Sequence, residues 1–282
     1  MPSLFNEPVN EIIRRRCSWR SYTGDPVKED ILAQLDSFIK GLSSPPSGSK
    51  TRFEIITSPD KKEGIKGTYG VVRGAVTFIA GAVNDNPRAM EDFGYQFEKI
   101  ILFATSLNLG TCWLGGSFKR TVFAEKIALE EGEIIPAVSP VGYTAGRRTI
   151  IDNAFRFMAG SKKRKTFSEL FFMKSFDAPL TEAAAGKYAI PLEMVRLGPS
   201  ASNKQPWRMI IDGDEVHLVL QRTENYAKML PIDIQKIDMG IAMCHFELSA
   251  KESGIDGRWI EANPGIMLPE LSEYSATWVA EG

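Results

Sequence analysis

The sequence predicts an α+β protein built from two tandem α/β repeats, residues 1–160 and 161–282. The main observation is an internal alignment in which Asp92-x-Gly94 matches Asp238-x-Gly240 and the register continues without gaps. The positions that then coincide are Ala104 with Ala250, Leu109 with Ile255, and Trp113 with Trp259. A turn-rich loop precedes a strand-like run in both halves, at 44–50 and at 198–204. The second copy is expected to be trimmed.

Composition sets the protein class. The chain has 282 residues, of which 43% are hydrophobic and 24% charged, as in ordinary globular proteins. Its 34 basic and 35 acidic residues leave a net charge of -1. No overall field therefore attracts nucleic acid or an anionic membrane.

The chain also lacks the usual signals for export or metal binding. Residues 1–11 contain no apolar core typical of a signal peptide, and no apolar run is long enough to cross a bilayer. Cys17, Cys112 and Cys244 are too far apart and too few to indicate a disulfide framework or a zinc site. We therefore expect a cytoplasmic protein without a metal.

Hydrophobic periodicity predicts the elements of the first half. The predicted helices are 9–16, 29–42, 92–109 and 122–129, and the predicted strands are 53–57, 75–82 and 134–141. The helix at 92–109 is apolar on most sides, so we expect it at the centre of the molecule.

In the second half, a helix-like run ends at Leu197, because Gly198 and Pro199 do not continue a helix. A strand begins near Met209. The loop between them exposes serines, an asparagine and backbone amides, which suit a flat polar heterocycle. An ordinary helix-to-strand connection is the alternative from composition alone.

This loop carries a resemblance to a known family. The segment Pro199-Ser200-Ala201-Ser202-Asn203-Lys204-Gln205-Pro206-Trp207 resembles the signature loop of FMN-dependent nitroreductases. The resemblance implies the nitroreductase fold. It also implies that Pro199, Ser200, Ala201, Ser202 and Asn203 bind the flavin, with Ser200 and Asn203 at its pyrimidine edge or ribityl hydroxyls.

A second segment near the N-terminus is similar to the same family. Arg16, Ser18 and Arg20 resemble the family's Arg-Arg-Ser-x-Arg segment, with Cys17 in place of the second arginine. The resemblance implies that these four residues contact the FMN ring edge, ribityl chain or phosphate. Guanidinium donors suit both a phosphate and the N1–C2 edge of reduced flavin. A solvated basic turn is the other interpretation.

Two further segments match the family. Leu114, Gly115 and Gly116 resemble the stretch whose backbone N–H faces flavin N5, although such a turn is common by itself. Residues 162–170 resemble the family's basic tail. Lys162 and Arg164 are accordingly expected to bind the FMN phosphate, whereas an unrelated basic run would be a solvated linker or a localisation signal.

The resemblance to this family implies what the two repeats would form together. Nitroreductases are dimers with two FMN sites at the interface, so two fused copies would form an intramolecular pseudo-dimer. The first copy keeps the arginines and glycines, and the second keeps the asparagine loop, while 173–176 and 260–262 lack their counterparts. This resembles the fused branch of the superfamily. It implies one complete site, one FMN per chain, and a monomer.

The implied activity is oxidoreduction, in which NAD(P)H passes a hydride through flavin N5 to a small-molecule acceptor of the nitroaromatic or quinone type. Two alternatives remain. One is a non-catalytic flavin-binding protein, such as a sensor or a store. The other is a nucleic-acid module using 14–16 and 162–165, which the neutral net charge disfavours. The two histidines, His217 and His245, are interpreted as structural residues.

Overall fold

The structure is a computed structural model that describes residues 4–58, 67–146, 163–226 and 231–281. Its helices are α1 Val9–Arg15, α2 Glu29–Lys40, α3 Ala89–Ser106, α4 Arg120–Lys126, α5 Phe167–Leu170, α6 Ala189–Leu197 and α7 Ile234–Glu252. Its strands are β1 Thr51–Thr57, β2 Thr77–Asn84, β3 Gly110–Thr111, β4 Glu133–Ile134, β5 Val138–Gly142, β6 Phe171–Met173, β7 Trp207–Asp212, β8 Glu215–Gln221, β9 Gly257–Ile260 and β10 Ser272–Ala280. None of the described helices is both long enough and apolar enough to span a membrane.

The strands form two sheets of the same order. The first runs β1-β2-β5-β3, with β4 also paired to β2. The second runs β6-β7-β8-β10-β9. Neighbouring strands are antiparallel except for β6, which lies parallel to β7. Apart from β4 and β6, each strand of one sheet therefore has a counterpart in the other.

Helices α3 and α7 make the most extensive contact between any two described helices. They cross at glycines, where a Cβ on Gly94 would lie 2.2 Å from the Ile237 carbonyl oxygen and one on Gly240 would lie 1.9 Å from that of Glu91. Both helices are buried along most of their length, as the sequence predicts for 92–109. Only glycine allows two helix backbones to approach so closely.

The ends of these two helices repeat the same turn. The backbone N–H of Leu109 donates to Ala104 O at 3.0 Å, and that of Ile255 donates to Ala250 O at 2.9 Å. The intervening residues, Asn108 and Gly254, have positive φ values of 61° and 77°. These residues stand in the same register as the internal alignment of the sequence.

The N-terminal helix α1 packs on the second half of the chain. Its buried Ile12 belongs to the same core cluster as Leu192 of α6 and Phe246 of α7. A carboxylate of Glu252, at the end of α7, accepts the backbone N–H groups of Val9 and Asn10, satisfying donors at the start of α1. This packing carries the segment after α1 toward the loops of the second half.

One predicted element differs from the structure, the run 134–141. This run was expected to be one strand, and it is two, because β4 ends at Ile134 and β5 begins at Val138. Pro136 lies in the break and has no N–H for a ladder. The other predicted helices and strands are found with ends displaced by a few residues.

Candidate functional site

The arginine segment 16–20 leads from the second half of the molecule to the edge of the first sheet. Arg16 follows the last turn of α1, and its N–H donates to Ile12 O. Ser18 then forms a parallel bridge with Thr111 of β3, and the N–H of Trp19 donates to Thr111 O at 2.8 Å. The backbone of this segment is thereby fixed between α1 and the edge of the first sheet.

The loop 199–206 opposite has an unusual backbone. Ser202, Asn203 and Gln205 all have positive φ, at 47°, 54° and 49°, a region that costs energy for residues other than glycine. The side chain of Asp238 on α7 accepts the N–H of Ala201 at 3.0 and 3.2 Å, and Ser200 Oγ accepts that of Gln205 at 2.9 Å. These bonds hold the loop in its strained form, which is common at functional sites.

The basic tail binds this loop through side-chain amides. The buried Gln205 accepts the N–H of Lys165 at 2.9 Å and donates to Lys163 O at 3.3 Å. Asn203 donates from Nδ2 to Lys163 O and accepts from Arg164 through Oδ1, both at 2.9 Å. The Arg164 guanidinium also donates to Leu197 O and Gly198 O, the free carbonyls at the end of α6.

Helix α7 supplies an apolar wall. Ile234, Ile237 and Ile241 lie on one face of the helix, because they are spaced at i, i+3 and i+7. Gly115 packs against the first of them, and a Cβ on this glycine would lie 2.4 Å from Ile234 Cδ1. The carbonyl oxygen of Gly115 accepts a hydrogen bond from Arg120 at 2.8 Å.

These segments enclose a cavity of about 500 Å³, within the range usual for small-molecule and cofactor sites. Twelve of the fourteen residues expected from the sequence line it: Arg16, Cys17, Ser18, Arg20, Gly115, Gly116, Arg164, Pro199, Ser200, Ala201, Ser202 and Asn203. The first six come from the first half of the chain, and the others from the second.

The other two expected residues are not in the cavity lining. Leu114 is buried, and its backbone N–H donates to Val138 O at 2.9 Å, so that N–H serves the first sheet. Lys162 lies outside the described residues.

Eight lining residues were not expected from the sequence: Trp113, Ser117, Ala137, Tyr226, Ile234, Ile237, Asp238 and Ile241. The spacing of the three isoleucines was a detectable signal, since it puts Asp238 beside the same helix face. Tyr226, whose hydroxyl lies 2.9 Å from Ser202 Oγ, carried no such signal.

Two arginines of the cavity lining, Arg16 and Arg164, are close enough for their charges to interact. Burial, and next the neighbouring charge of Arg16, lower the pKa of Arg164 to about 10. The Arg16 side chain is only 7% exposed, and its Nε makes no hydrogen bond to any residue that the structure describes, lying 3.8 Å from Glu98 Oε1. On the α7 side, burial raises the pKa of the Asp238 carboxyl well above its ordinary value.

Both histidines are buried and hydrogen-bonded within the protein. His217 Nδ1 lies 2.9 Å from Thr277 Oγ1, and His245 lies between Met194 O and Glu98. Among the residues of 4–58, 67–146, 163–226 and 231–281, no group of three or more His, Cys, Asp or Glu side chains is arranged to hold a metal ion.

Comparison of the whole structure with solved structures supports the fold. A protein described as a putative nitroreductase from Thermotoga maritima has a TM-score of 0.63 and 19% identity, over 97% of this chain and 94% of its own. A nitroreductase family protein from Clostridium difficile has a TM-score of 0.41 and 16% identity, over 52% of this chain and 91% of its own. A nitroreductase with bound FMN from Desulfitobacterium hafniense gives 0.41 and 15%, over 51% and 93%.

The first of these structures shows that the fold is nitroreductase-like, and the other two are too distant to add an argument. A search of curated protein sequences finds no significant match. The family model described as "Putative TM nitroreductase" matches residues 8–250, which is most of the chain. The chain therefore belongs to this nitroreductase family.

Proposed function

We propose that the protein is an FMN-dependent oxidoreductase that binds one FMN in the cavity between the arginine segment and the loop 199–206. The observation that carries this proposal is the convergence of Arg16 and Arg164, from distant parts of the chain, on a cavity that also has an apolar wall of isoleucines. The family membership supports an oxidoreductase, and flavin is the cofactor whose shape and charge suit this combination.

The charges of the cavity fit a phosphorylated cofactor. The pKa of Arg164 is lowered partly by Arg16, so the two cations are close enough to repel each other. The hydrogen bonds of Arg164 go to two backbone carbonyls and an amide oxygen, none of which carries a charge. An anionic group placed between the arginines would remove the repulsion and give Arg16 Nε an acceptor.

Each part of the lining has a proposed role. Arg16, Arg20 and Arg164, with Lys162, would bind the phosphate or the electron-rich ring edge, and Cys17 and Ser18 would contact the ring or ribityl chain. Residues 199–203 would hold the polar edge of the ring. Residues 114–116 would lie nearest N5, with Gly115 and Gly116 as the contacting residues because Leu114 N–H is engaged in the sheet. When bound, FMN would supply the redox chemistry, taking a hydride from NAD(P)H and delivering it to a nitroaromatic or quinone.

We further propose that the chain is a fused pseudo-dimer of two nitroreductase-like repeats, about 1–160 and 161–282, and that it works as a monomer. The matching strand orders of the two sheets and the glycine crossing of α3 and α7 support this proposal. So does a repeated contact at the preceding loops. Asp92 accepts the N–H groups of Ser47 and Ser49, as Asp238 accepts that of Ala201.

One FMN per chain follows from the side chains of α3. At the positions equivalent to Ile234, Ile237 and Ile241, the chain has Arg88 just before α3, and Glu91 and Tyr95 within it. Arg88 donates to Ser275 O at 2.7 Å and pairs with Glu91 at 3.3 Å, and the Tyr95 hydroxyl accepts from Lys99 at 2.6 Å. Large polar groups thus occupy the face where the second ring would otherwise lie.

The deciding experiment is an absorbance spectrum of the purified protein, with any released flavin identified and counted per chain. We expect a flavin spectrum, one FMN per chain, and bleaching by NADH or NADPH that a quinone reverses. A yellow protein inert to both nicotinamides would instead indicate a flavin-binding protein without turnover. Failure to bind added FMN would refute the proposal.

A further inference from the structure

A carboxylate and an imidazole meet behind the cavity wall, one from each of the two crossing helices. Glu98 of α3 and His245 of α7 are both fully buried, and Glu98 Oε1 lies 2.9 Å from His245 Nε2. The same carboxylate accepts the indole N–H of Trp113 through Oε2 at 2.7 Å and lies 3.8 Å from Arg16 Nε. Trp113 and Arg16 both line the cavity.

The hydrogen bonds of His245 require one proton between these two groups. His245 Nδ1 lies 2.8 Å from Met194 O, and because a carbonyl can only accept, Nδ1 carries a hydrogen. A neutral ring with its hydrogen on Nδ1 has a bare lone pair on Nε2. A lone pair 2.9 Å from a carboxylate oxygen would be repelled, so either Nε2 or Glu98 is protonated.

The surroundings decide where that proton lies. Glu98 has an indole N–H donor and a guanidinium beside it, and both stabilise a carboxylate. Two further charged groups of these helices, Lys99 of α3 and Glu247 of α7, are 4.0 Å from each other and largely offset one another. The Cys244 thiol of α7 has its pKa raised by burial and is neutral.

We infer that Glu98 and His245 form a buried carboxylate–imidazolium pair that positions Arg16 and Trp113 and preserves the positive charge of Arg16 for the ligand. This inference rests on the proposed function, because its consequence is FMN affinity. When His245 is protonated, its positive charge balances the negative charge of Glu98. Without that charge, Arg16 becomes the main cation beside Glu98 and is partly neutralised.

The charge state can be measured without any ligand, because the chain has only two histidines. The NMR spectrum is recorded on ¹⁵N-histidine-labelled protein without a histidine tag, at a pH about 1.5 units above the ordinary His pKa of about 6.5. We expect one doubly protonated ring in it. That ring should be absent from the spectrum of the H245Q variant. A neutral His245 in the wild-type protein overturns the inference.

The positioning role is tested by FMN titration of H245Q, H217Q and the double variant E98Q/H245Q. We expect the Kd for FMN to rise at least about tenfold in H245Q, because an uncompensated carboxylate then faces Arg16. His217 is equally buried but lies on β8 and bonds to Thr277, so H217Q should leave the Kd unchanged. Adding E98Q to H245Q should restore most of the affinity, since it removes the uncompensated charge.

Equal Kd values for H245Q and H217Q would overturn the positioning role, as would a double variant that binds no better than H245Q. Failure of the wild-type protein to bind FMN would refute the proposed function and the positioning role together. In that case the ¹⁵N spectrum still decides separately whether the ion pair exists.

Discussion

Arg16 and Arg164 line the same cavity, and burial together with the charge of Arg16 lowers the pKa of Arg164 to about 10. Arg16 directly follows α1, whereas Arg164 lies shortly before α5. Two buried cations are kept this close at an energetic cost, and bound phosphate would relieve it.

The first prediction concerns these two arginines. The double variant R16A/R164A should bind FMN at least about 100-fold more weakly, because it loses two charge-assisted hydrogen bonds worth about 1.5–3 kcal/mol each. Fluorescence titration with FMN measures the effect. Arg14 is the control, since it belongs to the same basic run but pairs with Glu11 at the surface. An R14A variant should bind normally, and an unchanged Kd in R16A/R164A contradicts the assignment.

The second prediction concerns Gln205, whose buried amide joins the loop to the tail. Truncation in Q205A should lower the free energy of unfolding by about 1–3 kcal/mol, because buried backbone groups lose their partners. It should also weaken FMN binding, since Arg164 is held by the same tail. Chemical denaturation and FMN titration measure the two effects.

Gln221 provides the comparison for Q205A. Its side-chain amide also joins a strand to a loop, donating to Glu270 O at 3.0 Å, but the loop around Glu270 contributes no residue to the cavity lining, whereas the loop held by Gln205 does. We expect Q221A to lower stability without changing FMN affinity. Parallel losses of affinity in both variants would mean that Q205A acts through general destabilisation.

The third prediction concerns the crossing of α3 and α7. A methyl group at Gly240 would lie 1.9 Å from Glu91 O, and one at Gly94 would lie 2.2 Å from Ile237 O, so the helices must separate. G240A and G94A should each lower the free energy of unfolding by about 1–3 kcal/mol or more. Thermal or chemical unfolding tests this. A near-neutral effect at either glycine would show that the helices can part at little cost.

The fourth prediction concerns pH. Burial raises the pKa of Asp238, so between the ordinary Asp value of about 3.9 and the raised value the folded protein binds more protons than the unfolded chain. Its contribution to stability is therefore present at low pH and is lost as pH rises through this window. D238N keeps an oxygen to accept the Ala201 N–H but cannot ionise.

We expect the stability difference between D238N and the wild-type protein to shift in favour of D238N as pH rises from about 4 to neutrality. Denaturation curves at several pH values measure this difference, and buried Glu91, whose pKa is also raised, contributes equally to both proteins. A difference that does not change with pH would show that Asp238 ionises normally in the folded state.

The sequence was most informative for segments whose candidate site residues lie next to one another in the chain. The loop 199–207 and the segment 16–20 could be recognised because the residues that share a role are neighbours in the chain. The central helix at 92–109 could be predicted because its apolar positions surround it. Residues of the loop and of the arginine segment line one cavity.

Features that depend on distant pairings were not visible in the sequence. Glu98 and His245 are far apart in the chain, and neither stands in a recognisable motif. The interpretation of His245 as structural agrees with its burial, but it overlooked the contact of its partner with Arg16. The break in 134–141 was missed because apolar residues continue through it, although Pro136 cannot donate to a sheet.

The unlike faces of α3 and α7 have a consequence for how this protein can change. In an assembly of two identical subunits, every substitution appears twice, and both copies must tolerate it. Here Tyr95 and Ile241 hold matching positions of the internal alignment but are encoded separately, so a replacement in the apolar wall leaves the residues of α3 unchanged. Selection, or an engineer, can therefore change the α7 wall without changing Tyr95 or the carboxylate of Glu98 that lies beside Arg16.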